Sequence, residues 1–129
     1  SGDLDPRHPT FPRALQKAGY ATHTVGKLHY WQWPWKTPAG RGHRLVDHDA
    51  DFRAYGYDSV WQACGKQLAL QDHCHYAAHL ERHQVLDTYR AHVAAQGPNP
   101  PTPEGMLYDG AAFPLPEEHY IDHVIGAEG

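Results

Sequence analysis

The sequence predicts an α/β fold with few strands and several short helices. A short helix precedes the segment "YATHTV", whose β-branched residues are typical of a strand that ends at Gly26. A second segment, "YDSVWQAC", alternates apolar and polar residues, and residues 70–96 follow a helical period. Because a two-stranded sheet is marginal and leaves unpaired edges, we expect the strands to pair with another chain or to belong to a larger sheet.

The first predicted helix is the segment "FPRALQKAG". Thr10 is the expected capping residue, and Gly19 supplies a left-handed stop. Phe11, Leu15 and Ala18 share one face of this helix. The strand that follows therefore starts close to the end of the helix.

Proline and glycine divide the rest of the chain into short pieces. Residues 31–46 predict an aromatic and basic loop. Residues 47–96 predict a short helix, the second strand and a helical region that breaks near residues 84–85. Residues 97–129 predict a proline-rich connection and a terminal helix. Together with the helix, strand and turn of residues 1–30, these pieces are expected to form a single partial domain over residues 1–129.

The charge and hydropathy of the chain argue against two classes of partner. Eleven lysines and arginines stand against fifteen acidic residues, a net charge of −4 with neutral histidines, and the basic residues are scattered singly. We therefore expect no nucleic-acid interface. The sequence contains no apolar run of about 18 residues and no signal-peptide pattern, so we expect no membrane contact. A cytoplasmic and a periplasmic location both stay open.

Two smaller groups of residues are candidate ligands. Cys64 and Cys74 fit a disulfide, a weak metal pair or two buried thiols about equally well. Asp47, Asp49 and Asp51 could serve a hard cation, but they lack the glycine and the distal glutamate of an EF-hand loop. We expect these aspartates to cap the short helix that follows them.

Gly26, Lys27 and His29 form a combination suited to an oxyanion. Glycine lets the backbone approach closely, lysine supplies a positive charge, and histidine supplies a proton. Strand alternation would place Lys27 and His29 on one side of the chain. The spacing alone does not separate such a site from a solvated turn.

The longer string around these residues is more specific. It has seven fixed positions at fixed spacing and reads Gly19-Tyr20-x-Thr22-x-x-Val25-Gly26-Lys27-x-His29. This string resembles the second signature of the sulfatase family, in the alkaline phosphatase superfamily. The stretches "TFPRALQKAGY", "YGYDSVW" and "FPLPEEHYID" also resemble segments of that family. The resemblance implies that the chain is an internal fragment of a sulfatase-like α/β sandwich.

The resemblance also implies roles for two residues. Lys27 would contact the nucleophile and an anionic oxygen of the substrate, and His29 would hydrogen-bond the nucleophile and assist proton transfer. The implied substrate is a small sulfate ester, with phosphate and phosphonate monoesters as relatives that use the same scaffold. The parent enzyme would use Ca²⁺ or Mg²⁺ and a formylglycine.

The chain departs from the family at the nucleophile. Formylglycine arises from the first residue of a Cys/Ser-x-Pro-x-Arg motif, and this sequence has none: Cys64 is followed by "GKQL" and Cys74 by "HYAA". The metal-binding aspartates of the family also have no counterpart that we can place. We therefore expect this chain alone to carry no cofactor and to have no sulfatase activity. Its unpaired strands and tryptophans lead us to expect a homo-oligomer.

Tryptophans follow the lysine and histidine directly. Trp31 and Trp33, with Trp35, are candidates for an aromatic wall that faces the substrate. The alternative is a loop whose indoles pack on the surface of the domain or on a missing part of the protein.

A competing interpretation is a non-enzymatic, histidine-rich metal-binding module. The chain contains twelve histidines, and His75, His79 and His83 repeat every four residues along the predicted helix. His119 and His123 have the same spacing, and two imidazoles so placed can bind zinc or nickel. Three collinear histidines cannot all reach one tetrahedral ion on a straight helix, and the alternative is a solvated helix face.

Overall fold

The computed structural model describes residues 4–28, 30, 44–65, 70, 73–95 and 113–129. These ranges contain the elements α1 (Phe11–Lys17), β1 (His23–Gly26), α2 (Asp49–Arg53), β2 (Ser59–Gln62), α3 (His75–Arg82), α4 (Leu86–Ala95) and α5 (Ile121–Glu128). Two 3-10 turns precede α2 and α5, at Leu45–His48 and Glu117–His119. The mixed α/β class predicted from the sequence is confirmed.

The two strands pair in parallel. Their register sets His23 opposite Ser59 and Gly26 opposite Gln62. Beyond the last pair, the amide of Ala63 donates to the carbonyl of Gly26 at 3.0 Å. The carboxyl ends of both strands therefore lie side by side, at the end of the sheet where Lys27 begins.

The carboxylate of Asp58 joins the amino ends of these strands to α1. One of its oxygens accepts the amide of Thr22 at 2.7 Å, and the other accepts the side-chain amide of Gln16 at 2.8 Å. The amide of Asp58 donates in turn to the carbonyl of Thr22 at 2.8 Å. The hydrogen bonds from the backbone and hydroxyl of Thr22, and then that from Gln16, lower the pKa of Asp58. A single exposed aspartate thus fixes where β1 meets β2.

The main core lies between β2 and the helices α3, α4 and α5. Tyr76 is buried on α3 and meets the ring of Tyr89 on α4 edge to face, with centroids 5.6 Å apart. Leu80 is fully buried one turn further along α3. The buried residues of this cluster are Leu45, Trp61, Ala63, Cys64, Cys74, Tyr76, Ala77, Leu80, Leu86, Tyr89, Val93, Leu115 and Val124.

A second, aromatic cluster supports the chain that leaves β1. Tyr30 stacks on Tyr55 with centroids 4.5 Å apart, and its hydroxyl hydrogen-bonds that of Tyr57. Leu28 packs on the same cluster. Burial and the hydroxyl of Tyr57 raise the pKa of Tyr30, so this phenol stays protonated. The residues on both sides of position 29 are therefore anchored.

The helix boundaries confirm several predictions. α3 ends at Arg82, Gln84 has a positive φ of 59°, and α4 begins at Leu86, which places the break where the sequence predicts it. Gly19 follows α1 with a φ of 88°, as expected of a left-handed stop. The sequence thus correctly predicts where α1 and α3 end, and a residue with positive φ follows each of these helices.

Two capping predictions need correction. Thr10 lies at the capping position of α1, but its hydroxyl donates to the carbonyl of Tyr55 instead of capping the helix. The prediction that the aspartates cap α2 is wrong, since His48 precedes this helix and no side chain caps it. The hydroxyl of Thr10 thus has a partner distant along the chain, whereas Asp47 and Asp51 face basic side chains three residues away and Asp49 faces His75.

Gly56 provides a test of how α1 packs. It has a φ of 106°, and a Cβ at this position would lie 2.4 Å from the backbone nitrogen of Arg13 in α1. We expect Gly56→Ala to lower the free energy of unfolding by about 3 kcal/mol, because it adds a backbone clash to the strain of a positive φ.

Gly19 is the matched control for this substitution. It also has a positive φ, of 88°, but a Cβ at this position would have no neighbouring atom within 4 Å. Gly19→Ala should therefore cost only about 1 kcal/mol, from backbone strain alone. Urea unfolding of both variants measures the difference, and equal losses would contradict the packing of α1 against Gly56.

Candidate functional site

Lys27 lies just beyond the carboxyl end of β1. The preceding residue, Gly26, is buried and has a φ of 113°, so the chain turns there in a conformation that favours glycine. Lys27 itself is exposed. The carboxyl ends of parallel strands are the usual place for ligands in α/β proteins, and a lysine ammonium there can bind an anionic oxygen.

Gly65, just after β2, makes room for the Lys27 side chain. A Cβ at position 65 would lie 3.0 Å from Nζ of Lys27. The lysine ammonium therefore lies across the ends of both strands. Sequence spacing does not indicate Gly65, because only the pairing of the strands brings it next to Lys27.

The other residues predicted for this site lie outside the described part of the chain. These residues are His29, Trp31 and Trp33, the proton donor and the two candidates for an aromatic wall. Their neighbours Leu28 and Tyr30 pack on the aromatic cluster, and the carbonyl of Tyr30 accepts the amide of Leu4 at 2.7 Å. The roles of these three residues stay predictions.

A second group of chemically active side chains is formed by His79, His83 and His119. Nε2 of His79 and Nδ1 of His119 are 3.2 Å apart. Each histidine has one ring nitrogen in a set whose members all lie within 4.8 Å of one another. We call these three residues the histidine cluster. It joins α3 to the 3-10 turn before α5.

His75, the first histidine of the row that the sequence predicts on this helix, does not belong to the histidine cluster. Its Nδ1 accepts the amide of Gln62 at 3.0 Å, and its Nε2 lies 3.3 Å from a carboxylate oxygen of Asp49. Both nitrogens therefore face β2 and α2. The i, i+4 pattern correctly indicates that His79 and His83 are neighbours, but their third partner, His119, comes from another element.

The environment of His79 favours its neutral form. Burial, and then the proximity of His83 and His119, lower its pKa. A neutral imidazole has a lone pair available for a metal ion. The histidine cluster is thus suited to a cation at neutral pH.

The two cysteines are buried thiols in contact. Their sulfurs are 3.0 Å apart, and the amide of Cys64 donates to the sulfur of Cys74 at 3.2 Å. The hydrogen bond with the thiol of Cys64 is the main reason that the pKa of Cys74 is lowered to about 6. Of the three alternatives left open by the sequence, the structure has two buried thiols without a disulfide.

The aspartates before and within α2 face different partners. Asp47 lies 3.4 Å from Arg44, Asp51 lies 2.9 Å from His48, and Asp49 faces His75. Among the described residues, only the histidine cluster meets the geometric requirements of a metal site. None of the described helices has the length and apolar character needed to cross a bilayer.

Comparison with protein-family models, with curated proteins and with solved structures found no match to this chain. Two groups of described residues have the chemistry of a binding site, Lys27 and the histidine cluster. The first is an exposed cation at the end of a parallel sheet, and the second is a partly buried set of imidazoles.

The titration of the thiol pair tests the contact between Cys64 and Cys74. We expect thiolate absorbance to appear in the folded protein near pH 6, because the thiol of Cys64 donates to the sulfur of Cys74. In Cys64→Ala the pKa of the remaining thiol should rise towards or above its ordinary value of about 8.5, since the donor is lost and burial remains.

Cys74→Ala is the control, and it should remove the step near pH 6. The sign of the linkage gives a second measurement. Because the folded pKa of Cys74 is the lower one, its stabilising contribution is complete above the unfolded pKa and is lost as the pH falls through about 6. An unchanged titration in Cys64→Ala would contradict the proposed contact.

Proposed function

We propose that this chain supplies the oxyanion-binding part of a sulfatase-like hydrolase that cleaves sulfate esters. The observation that carries the proposal is the position of Lys27, directly after a buried glycine at the carboxyl end of a parallel strand. This glycine and lysine are the centre of the string that resembles the sulfatase signature. Phosphate and phosphonate monoesters present the same tetrahedral anion, and they are alternative substrates of the parent enzyme.

The role proposed for this chain is to bind and orient the ester substrate. The ammonium of Lys27 would neutralise charge on a non-bridging oxygen of the ester, and the nearby backbone turn at Gly26 leaves the approach open. His29 is proposed to move a proton during turnover. The role of Trp31 and Trp33 is proposed to be contact with the remainder of the substrate.

The cofactors of the implied parent find no fit in the sequence motifs or among the described residues. The sequence has no Cys/Ser-x-Pro-x-Arg motif for a formylglycine. Within the described part of the chain, the aspartates that the sequence marks as candidate ligands of Ca²⁺ or Mg²⁺ are Asp47, Asp49 and Asp51, and each faces a different basic side chain. We therefore assign no step through either group to this chain.

Sulfate binding tests the role of Lys27. We expect inorganic sulfate, titrated at constant ionic strength, to shift the backbone amide resonances of Lys27 and Gly65 in NMR spectra. Lys27→Ala should weaken this binding about 5- to 10-fold, because a charge-assisted contact is lost. Lys17→Ala is the matched control, since Lys17 is an exposed lysine at the end of α1.

The isolated chain should not turn over an aryl sulfate, because its sequence has no motif for the formylglycine nucleophile. Equal sulfate affinity in the wild type and in Lys27→Ala would overturn the assignment of the oxyanion site. Turnover by rigorously purified chain, abolished by Lys27→Ala, would overturn the expectation that this part only binds.

We also propose that the chain associates with a second copy of itself. The face of α1 that the sequence marks as apolar is uncovered: Phe11 is 75% exposed, Leu15 is 40% exposed, and the nearby Tyr20 is 64% exposed. An apolar face of this kind, beside a sheet of two strands, favours self-association.

Light scattering after size-exclusion chromatography tests this association. We expect a mass above that of a monomer, and the double variant Phe11→Glu, Leu15→Lys should shift the mass towards 14.5 kDa. Lys17→Glu on the same helix is the control and should leave the mass unchanged. A wild-type monomer at all concentrations would contradict the proposal.

A further inference from the structure

Two ring nitrogens of the histidine cluster, those of His79 and His119, have the separation that a bound metal ion requires. Zinc–nitrogen bonds of about 2.0–2.1 Å in tetrahedral geometry place two ligand nitrogens about 3.3 Å apart. Nε2 of His79 and Nδ1 of His119 share a hydrogen bond at 3.2 Å, which two bonds to the ion would replace once the shared proton has left. His83 is exposed, so its side chain can rotate to bring its nitrogen closer than the present limit of 4.8 Å.

Two of the three ligands are held in place by the fold. The hydroxyl of Tyr76, a fully buried residue of α3, donates to the backbone carbonyl of His119 at 2.8 Å. This bond fixes the 3-10 turn against α3 and keeps His119 beside His79, with only 9% of His119 exposed. A preformed pair of imidazoles reduces the entropy lost when an ion binds.

We propose that His79, His83 and His119 bind one divalent cation of the zinc type. Imidazole ligands favour Zn²⁺, Ni²⁺ and Cu²⁺ over Ca²⁺ and Mg²⁺, which require oxygen ligands. Three protein ligands leave the fourth tetrahedral position to water. Two charged side chains act on His79 with opposite sign, Arg82 and, more weakly, Glu128, so the imidazole ligands and not the local charge favour the ion.

The proposed ion connects two parts of the chain that are far apart in sequence. His79 and His119 are 40 residues apart, and the ion would join α3 to the turn that leads into α5. Binding to the folded state alone raises its stability by mass action. This proposal is independent of the role proposed for Lys27, which lies on another element.

The test is a zinc titration of the untagged full chain against a competing chromophoric chelator. We expect one Zn²⁺ per chain, and His83→Gln and His119→Gln should each weaken binding at least about 10-fold. His123→Gln is the matched control, because His123 is an exposed histidine of α5 outside the cluster. It should change the affinity less than about 2-fold.

Two further readouts separate a built site from scattered binding by the other histidines. Co²⁺ in place of Zn²⁺ should give the intense visible absorption of a tetrahedral site in the wild type, and His83→Gln should lose it. Excess Zn²⁺ should raise the melting temperature by roughly 5 °C in the wild type and by much less in His83→Gln.

His83 is exposed, so His83→Gln is expected to fold even if His119→Gln does not, and circular dichroism checks both. Binding that His83→Gln leaves unchanged would overturn the proposal. The proposal would also be overturned if His123→Gln weakened Zn²⁺ binding as much as His83→Gln does. The same holds if Zn²⁺ shows no saturable binding up to roughly 100 µM, a concentration well above the dissociation constant expected of a three-histidine site.

Discussion

The hydrogen bonds between Asp58 and Thr22 are the constraint on which the arrangement of this molecule depends. Asp58 is exposed, yet it accepts the amide of Thr22 at 2.7 Å and donates its own amide to the carbonyl of that residue. These bonds join the residues that directly precede the first ladder pair, His23 and Ser59. Because pairing at one end of two strands fixes the register along their whole length, Gly26 lies opposite Gln62. The side chain of Lys27 then lies next to Gly65.

α3 packs on that sheet and also carries His79 and His83. Its buried face, with Tyr76, Ala77 and Leu80, covers β2 and completes the main core. At its start, His75 accepts the amide of Gln62 and so ties the helix to the last residue of β2. Further along, His79 and His83 leave the sheet and meet the turn before α5. The same helix thus supports the end of the sheet at which Lys27 lies and carries two residues of the histidine cluster.

Local patterns predicted the elements better than their contacts. β-branched residues marked β1, and the break between α3 and α4 was placed correctly near Gln84, because both features depend on neighbours in sequence. The capping roles of the aspartates were mispredicted, since those carboxylates face basic side chains instead of backbone amides. Spacing did not indicate Gly65, and it paired His119 with His123 instead of with His79, because strand pairing and the docking of the C-terminal segment bring Gly65 and His119 to their sites.

Hydrogen exchange at the amide of Ala63 tests this dependence most directly. That amide donates to Gly26 at the carboxyl end of the sheet, whereas Asp58 acts at the amino end. If Asp58 fixes the register that positions Lys27, Asp58→Asn should speed exchange at Ala63 at least about tenfold, while Asp87→Asn on α4 should not. Protection of Ala63 unchanged from the wild type in Asp58→Asn would contradict the account.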